Sequence, residues 1–285
     1  MSKTTLLAAC LIIGTGYPML ARSEDGPSKP STTPPNIYLD LNEVYVAVPA
    51  NVLSFGFSNY FLLSKSPAQN VAINAPFTVD VTDRLSLYAG ISGSTTKEGS
   101  SAWSMMTLDS WNVGFQADVI QQSGSIPTVT VQSTLTLPIQ TSSLGLAAST
   151  WANIVETDYA LNKDQTKGII VGLKYTGVAV TSNVAVLNPS VAPTYIGYAG
   201  GYYQWDNNWK LTGRFGVQSF GGADIGRVIQ VKGFTDPILR IDLDRVDDNG
   251  NRLFAVFAEI AWAPKPVFQL TLRTPIYAVR NGSLQ

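Results

Sequence analysis

The sequence predicts an all-β chain folded as an antiparallel up-and-down transmembrane β-barrel of about ten to twelve strands. Three observations carry this. Long segments alternate apolar and polar residues with period two, as strands do when one side meets lipid and the other water. Charged residues are only 14% of the chain, against roughly 25% in an ordinary soluble domain. Trp and Tyr gather at the ends of the alternating runs, where barrels carry interfacial girdles. A secreted β-sandwich also alternates, but its strands are usually about 5–6 residues long and its surface carries more Lys and Glu.

Residues 1–23 read as a secretory signal peptide. Lys3 precedes an apolar core from Leu6 to Ile13, Gly16 to Pro18 breaks it, and Ala21-Arg22-Ser23 offers a small-x-small cleavage site. The one cysteine, Cys10, lies in that core. Leu7-Ala8-Ala9-Cys10 resembles a lipoprotein box, but the apolar core runs on past the cysteine. The mature chain is then expected to hold neither disulfide nor thiolate metal site. Residues 24–51 read as a leader and a short N-terminal segment. Pro27, Pro30, Pro34 and Pro35 keep its first part extended. Ile37 to Val48 is either a short helix or a strand that Pro49 ends.

The barrel is expected over residues 52–285. Val52 to Leu63 and Ile73 to Val81 open it, and Leu85 to Ser92, Trp111 to Val119 and Pro127 to Leu137 alternate strictly or nearly so. Ile169 to Tyr175 follows. In Trp209 to Gln218, apolar Trp209, Leu211, Phe215 and Val217 oppose Lys210, Thr212, Arg214 and Gln218. Leu239 to Asp244, Phe254 to Trp262 and Phe268 to Arg273 complete the set. Strands of about ten residues at ~3.3 Å per residue, tilted by about 40°, cover a ~25 Å apolar band. Asp206-Asn207-Asn208 and Ala263-Pro264-Lys265-Pro266 are expected as periplasmic turns. Gly93 to Ser110, Gln140 to Lys167 and Gly221 to Arg227 are expected as extracellular loops. Within the second of these, Leu144 to Leu161 has helix-like spacing and suggests a loop helix or an inward plug.

Phe77 to Ile91, FTVDVTDRLSLYAGI, resembles the LTDRLELGVGL hairpin of the outer-membrane family associated with the meta-pathway of phenol degradation. Trp111 to Gln140 is similar to that family's next hairpin, which commonly ends Leu-x-Leu-Pro-Thr-Gly-Asp. Here Leu135-Thr136-Leu137-Pro138-Ile139-Gln140-Thr141 lacks the Gly-Asp. The resemblance implies an outer-membrane barrel of a Gram-negative bacterium that passes small organic molecules.

Net charge is -1 and histidine is absent. The first gives no basic face for nucleic acid; the second removes the side chain on which Ser-His hydrolases and His-metal sites depend. The chain is therefore expected not to be an enzyme and to carry no cofactor or metal. Asp242-Leu243-Asp244 and Asp247-Asp248-Asn249-Gly250-Asn251 offer oxygens to Ca²⁺, but the latter lacks EF-hand spacing and reads as a turn. The polar strand faces place Asp118, Lys174, Lys210, Arg214, Arg240, Asp242, Glu259 and Arg273 in the lumen. There they either form a selective eyelet or pair with one another and fill a narrow bore. Lys210 and Arg214, on one face of one strand, are the expected binding residues. Trp111, Tyr195, Trp205, Trp209 and Trp262 are the expected girdle.

The expected function is a channel or uptake pore for small organic solutes in the outer membrane. The alternative is a structural or adhesive barrel with a closed lumen and contacts made by its loops. Its partners are the lipid bilayer and the outer-membrane insertion machinery; either Phe268 to Tyr277 is the signal strand, followed by a short tail, or assembly is atypical.

Overall fold

The computed structural model describes residues 36–50, 66–139, 146–182, 189–225, 229–247, 252–262, 266–280 and 283–284. Twelve strands close into an antiparallel barrel, and no helix occurs among the described residues. The first seven wall strands are β1 (Asn36–Val48), β2 (Ala68–Thr82), β3 (Leu85–Glu98), β4 (Thr107–Ile120), β5 (Thr128–Pro138), β6 (Leu146–Ala160) and β7 (Lys167–Ser182). A short β8 (Pro189–Val191) pairs only with the end of β10. The wall continues through β9 (Thr194–Gln204), β10 (Trp209–Ile225), β11 (Ile229–Val246), β12 (Arg252–Ala261) and β13 (Val267–Arg280). A two-residue β14 (Ser283–Leu284) folds back on the end of β13.

Neighbours in sequence are neighbours in the wall, and β1 pairs with both β2 and β13. Closure satisfies every wall strand on both edges, so the barrel leaves no edge to pair with another chain. Asn36 and Arg280 lie at one end, here the terminal rim; the other end is the far rim.

Alternation is why these segments are strands, and its sense distinguishes the two sides of the wall. Leu173 is 67% exposed and Lys174 beside it 2%; Phe215 is 58% exposed and Arg214 4%. Apolar side chains point out and charges point in, the reverse of a soluble fold and the pattern of a bilayer-spanning barrel. At the terminal rim the β9–β10 turn is tight: Asn208 adopts φ 64°, a left-handed conformation Asn tolerates, and Trp205 N–H donates to the Trp209 carbonyl at 2.8 Å.

Several expectations are corrected. Ile37 to Val48, read as a short helix or a strand, is a strand, and as β1 it closes the wall. Leu144 to Leu161 is neither loop helix nor plug, since Leu146–Ala160 is β6, paired to β5 and β7 throughout. Gln140 to Lys167 is therefore not one loop. Gly93 to Ser110 shortens to residues 99–106 between β3 and β4, and β10 runs through Gly221 to Ile225. The two turns expected on one side lie at opposite rims: β9 and β10 meet at the terminal rim, whereas β12 ends and β13 begins at the far rim. Residues 1–23, the leader up to Pro35, Val52 to Leu63 and Asp248 to Asn251 lie outside the described residues.

Candidate functional site

A closed wall with polar residues on its inner side makes the lumen the candidate site. The inner face is set by register. Arg214 on β10 lies opposite Arg240 on β11, and Arg240 opposite Glu259 on β12. Two guanidinium groups side by side need anions, and the fold supplies them. Asp242 bridges both: it accepts from Arg214 Nη1 at 2.6 Å and from Arg240 Nε at 2.6 Å. Glu156, three wall positions away on β6, accepts from Arg214 Nε at 3.3 Å and from the Tyr198 hydroxyl at 2.8 Å. Arg240 also rests over the Phe257 ring, 4.8 Å from its centroid. These groups are all buried or nearly so, so the pairs are shielded from salt and each partner depends on the others.

Beside this cluster, towards the terminal rim, lies a cavity of about 440 Å³. Its lining is chiefly polar. Among the described lining residues, seven carboxylates (Asp118, Glu156, Asp158, Asp164, Asp242, Asp244 and Asp247) face four cations (Lys163, Lys210, Arg214 and Arg252). The surplus of negative charge favours cations in this part of the lumen. Tyr202 is the single ring among the described lining residues, and the Lys210 ammonium sits 4.1 Å from its centroid. Arg252 binds Asp244 at 2.5 Å.

The eight lumen candidates fall into separate groups. Arg214, Arg240 and Asp242 are joined directly. Lys210 and Asp118 stand in the cavity wall; Asp118 accepts from the Thr130 hydroxyl at 2.8 Å. Lys174 and Glu259 are buried on β7 and β12. Arg273 is apart from the cluster and forms a buried ion pair with Asp40 of β1. Pairing rather than a ring of free charges is therefore what Arg214, Arg240, Asp242 and Arg273 display. Asp40, Glu156, Asp158, Asp244 and Arg252 were missed. Asp40 sits on β1, read as a helix or a strand ahead of the barrel, and Glu156 and Asp158 sit on β6, read as loop; Asp244 carried a signal, its alternation with Leu243.

Of the aromatic candidates, Trp111, Tyr195 and Trp262 stand near the far rim and Trp205 and Trp209 at the terminal rim. Trp111, Tyr195, Trp205 and Trp262 are exposed on the outer face. Tyr195 packs on Tyr175 with centroids 5.4 Å apart, and Tyr175 edge-on to Trp151 at 6.4 Å. Tyr203 and Trp205 make a corresponding pair at 5.5 Å.

No protein-family profile matches the sequence, and no curated protein matches it. Solved structures do. An outer membrane channel from Pseudomonas putida F1 superposes with a TM-score of 0.54 at 10% identity, covering 90% of this chain and 100% of the other. The translocator domain of the autotransporter NalP from Neisseria meningitidis gives 0.46 at 12% identity, covering 86% and 89%. At these identities the likeness to the channel is one of fold.

Proposed function

We propose that this chain is an outer-membrane channel for small polar organic solutes. The observation that carries the proposal is the polar cavity inside a closed barrel whose outer face is apolar. The shared fold with an outer membrane channel supports it. The barrel sits with its terminal rim towards the periplasm, so that the exported leader and both ends of the wall share one side. Residues 1–23 act as the export signal. The acidic cavity is the periplasmic vestibule, and the Arg214–Glu156–Asp242–Arg240 cluster beside it narrows the bore and sets ion preference. Passage needs no catalytic step.

A second reading is a structural barrel with a closed lumen. It is favoured by the reach of Arg214 from β10 to Glu156 on β6, which ties separated parts of the wall together. Single-channel recording of the refolded mature chain in planar bilayers separates the two. The channel reading expects discrete conductance steps with a preference for K⁺ over Cl⁻. Silence from a chain whose insertion is verified by heat-modifiable gel mobility would establish the closed barrel instead.

A further inference from the structure

The cavity at the terminal rim is electrically one-sided. β4, β5 and β6 contain no Lys or Arg, yet they turn Asp118, Glu156 and Asp158 into it. Register arranges these groups. Asp118 lies opposite Thr130 and Thr130 opposite Glu156, while Asp158 lies opposite Thr128. Asp118 and Asp158 therefore flank β5 on a diagonal, with Thr128 and Thr130 between them. Two strand spacings of ~4.8 Å and two residue rises of ~3.3 Å put their backbones about 12 Å apart. Glu156 is engaged by Arg214, which reaches it from β10. Among the described residues Asp118 and Asp158 form no ion pair, and Asp118 accepts one hydrogen bond, from Thr130.

The facing wall does not offset this charge. Arg214 is shared by Glu156 and Asp242, and Arg252 is held by Asp244. The field of Lys210 reaches Asp158, but its ammonium is seated on the Tyr202 ring. Thr212, between Lys210 and Arg214 on β10, lines the cavity and is 5% exposed. Among the described residues its hydroxyl has no hydrogen-bond partner. A buried hydroxyl is nearly always paired, so what satisfies Thr212 is whatever occupies the cavity. At about 440 Å³ the space is of the size that holds a small organic molecule. The carboxylates are spread over its wall rather than gathered, since no three acidic groups among the described residues stand close enough to hold one metal ion. The charge that matches them is a distributed one.

We propose that this cavity is a binding site for a linear aliphatic polyamine, a flexible cation whose charge is divided among ammonium groups; the inference rests on the channel reading above and names its solute. An ammonium carries three N–H donors. One such group donates to Asp118 and a second to Asp158, and Thr212 on the facing wall offers a further acceptor. Ile154 and Ile170 also line the cavity, Ile170 directly opposite Asp158, and give the intervening methylenes an apolar surface. A quaternary ammonium fits less well. It has no N–H to donate and is recognised by aromatic faces, whereas Tyr202 is the single ring among the described lining residues and Lys210 already covers it.

Hexane-1,6-diamine, with hexamethonium as its fully methylated counterpart, is the probe. The two share charge and chain, but only the first donates hydrogen bonds. In planar bilayers the diamine should reduce the ion current of the mature chain in a saturable way, and hexamethonium should need about a tenfold higher concentration. Asp118→Asn and Asp158→Asn, each checked for heat-modifiable mobility, should each raise the half-blocking concentration of the diamine by about tenfold, as loss of a charge-assisted hydrogen bond would. Asp109→Asn removes a carboxylate from the same strand as Asp118 but at the far rim, and should leave the block unchanged. Calorimetric titration of the folded barrel with the diamine gives an independent readout. Conductance with neither block nor binding overturns the site and leaves the channel. Saturable binding, weakened by Asp118→Asn and Asp158→Asn, from a barrel that does not conduct upholds the site and overturns the channel. Equal block by hexamethonium, or block shifted as much by Asp109→Asn as by the cavity variants, overturns recognition by these carboxylates. Absence of both conductance and binding overturns both readings.

Discussion

Gly172 shows how finely the inner surface is fitted. It lies opposite Tyr198, and a Cβ placed on it would run into that ring. Gly168 stands in the same relation to Tyr202, and Gly114 to Tyr88. Each tyrosine lies flat along the wall because its neighbour has no side chain, and its hydroxyl then reaches a fixed partner, as Tyr198 reaches Glu156. Gly172→Val should therefore cost about 1–3 kcal/mol by overpacking, read as a lower urea midpoint for refolded barrel in vesicles. Gly213→Ala, where an added Cβ meets nothing within 4 Å, should stay within about 0.5 kcal/mol. Arg214→Met leaves Glu156 and Asp242 short of their shared cation and should cost about 3–5 kcal/mol. The same variant should also strengthen cation preference in single-channel recordings, since a positive charge leaves the bore.

At the scale of the element, β1 is the piece on which closure depends, because it alone joins β2 to β13. Deleting residues 36–48 exposes both flanking edges to pairing with other chains. The truncated chain is expected to lose heat-modifiable mobility and to be digested by protease under conditions the full barrel survives. β1 also shows where sequence reasoning fails. Strands were legible wherever the faces differ in kind, as in β10 or β12, because lipid on one side and water on the other write period two into the residues. In β1 the inner face changes from Asp40 and Asn42 to Val44, Val46 and Val48, and these valines pack with Ala68, Ala72 and Val267 inside the wall. Alternation disappears there because both faces are apolar. β6 fails for the converse reason: its inward Ala148, Ala152 and Ile154 are apolar, while its outward face includes Ser149, Asn153 and Thr157. Two blurred strands hid Asp40 and Glu156, so Arg273 and Arg214 were legible and these partners of theirs were not.

At the scale of the whole molecule, the exterior is an apolar sleeve between two aromatic belts. Leu173, midway along β7 and the most exposed of the apolar residues facing outward from that strand, marks its middle. Leu173→Arg should reduce the stability of the membrane-inserted barrel by about 2–4 kcal/mol, and an arginine near either belt by about 0–1 kcal/mol. Reversible unfolding titrations in phospholipid vesicles would give both values. The seam between β1 and β13 has a further consequence, in time rather than in energy. It joins residues such as Val46 and Gln269, more than two hundred positions apart, so no partial product of synthesis can close. Contacts this distant in sequence form slowly, and until they form every intermediate presents two unsatisfied edges. The chain must be kept from pairing with its neighbours throughout its passage to the membrane, and the last event of its assembly is the meeting of its first strand with its last long one.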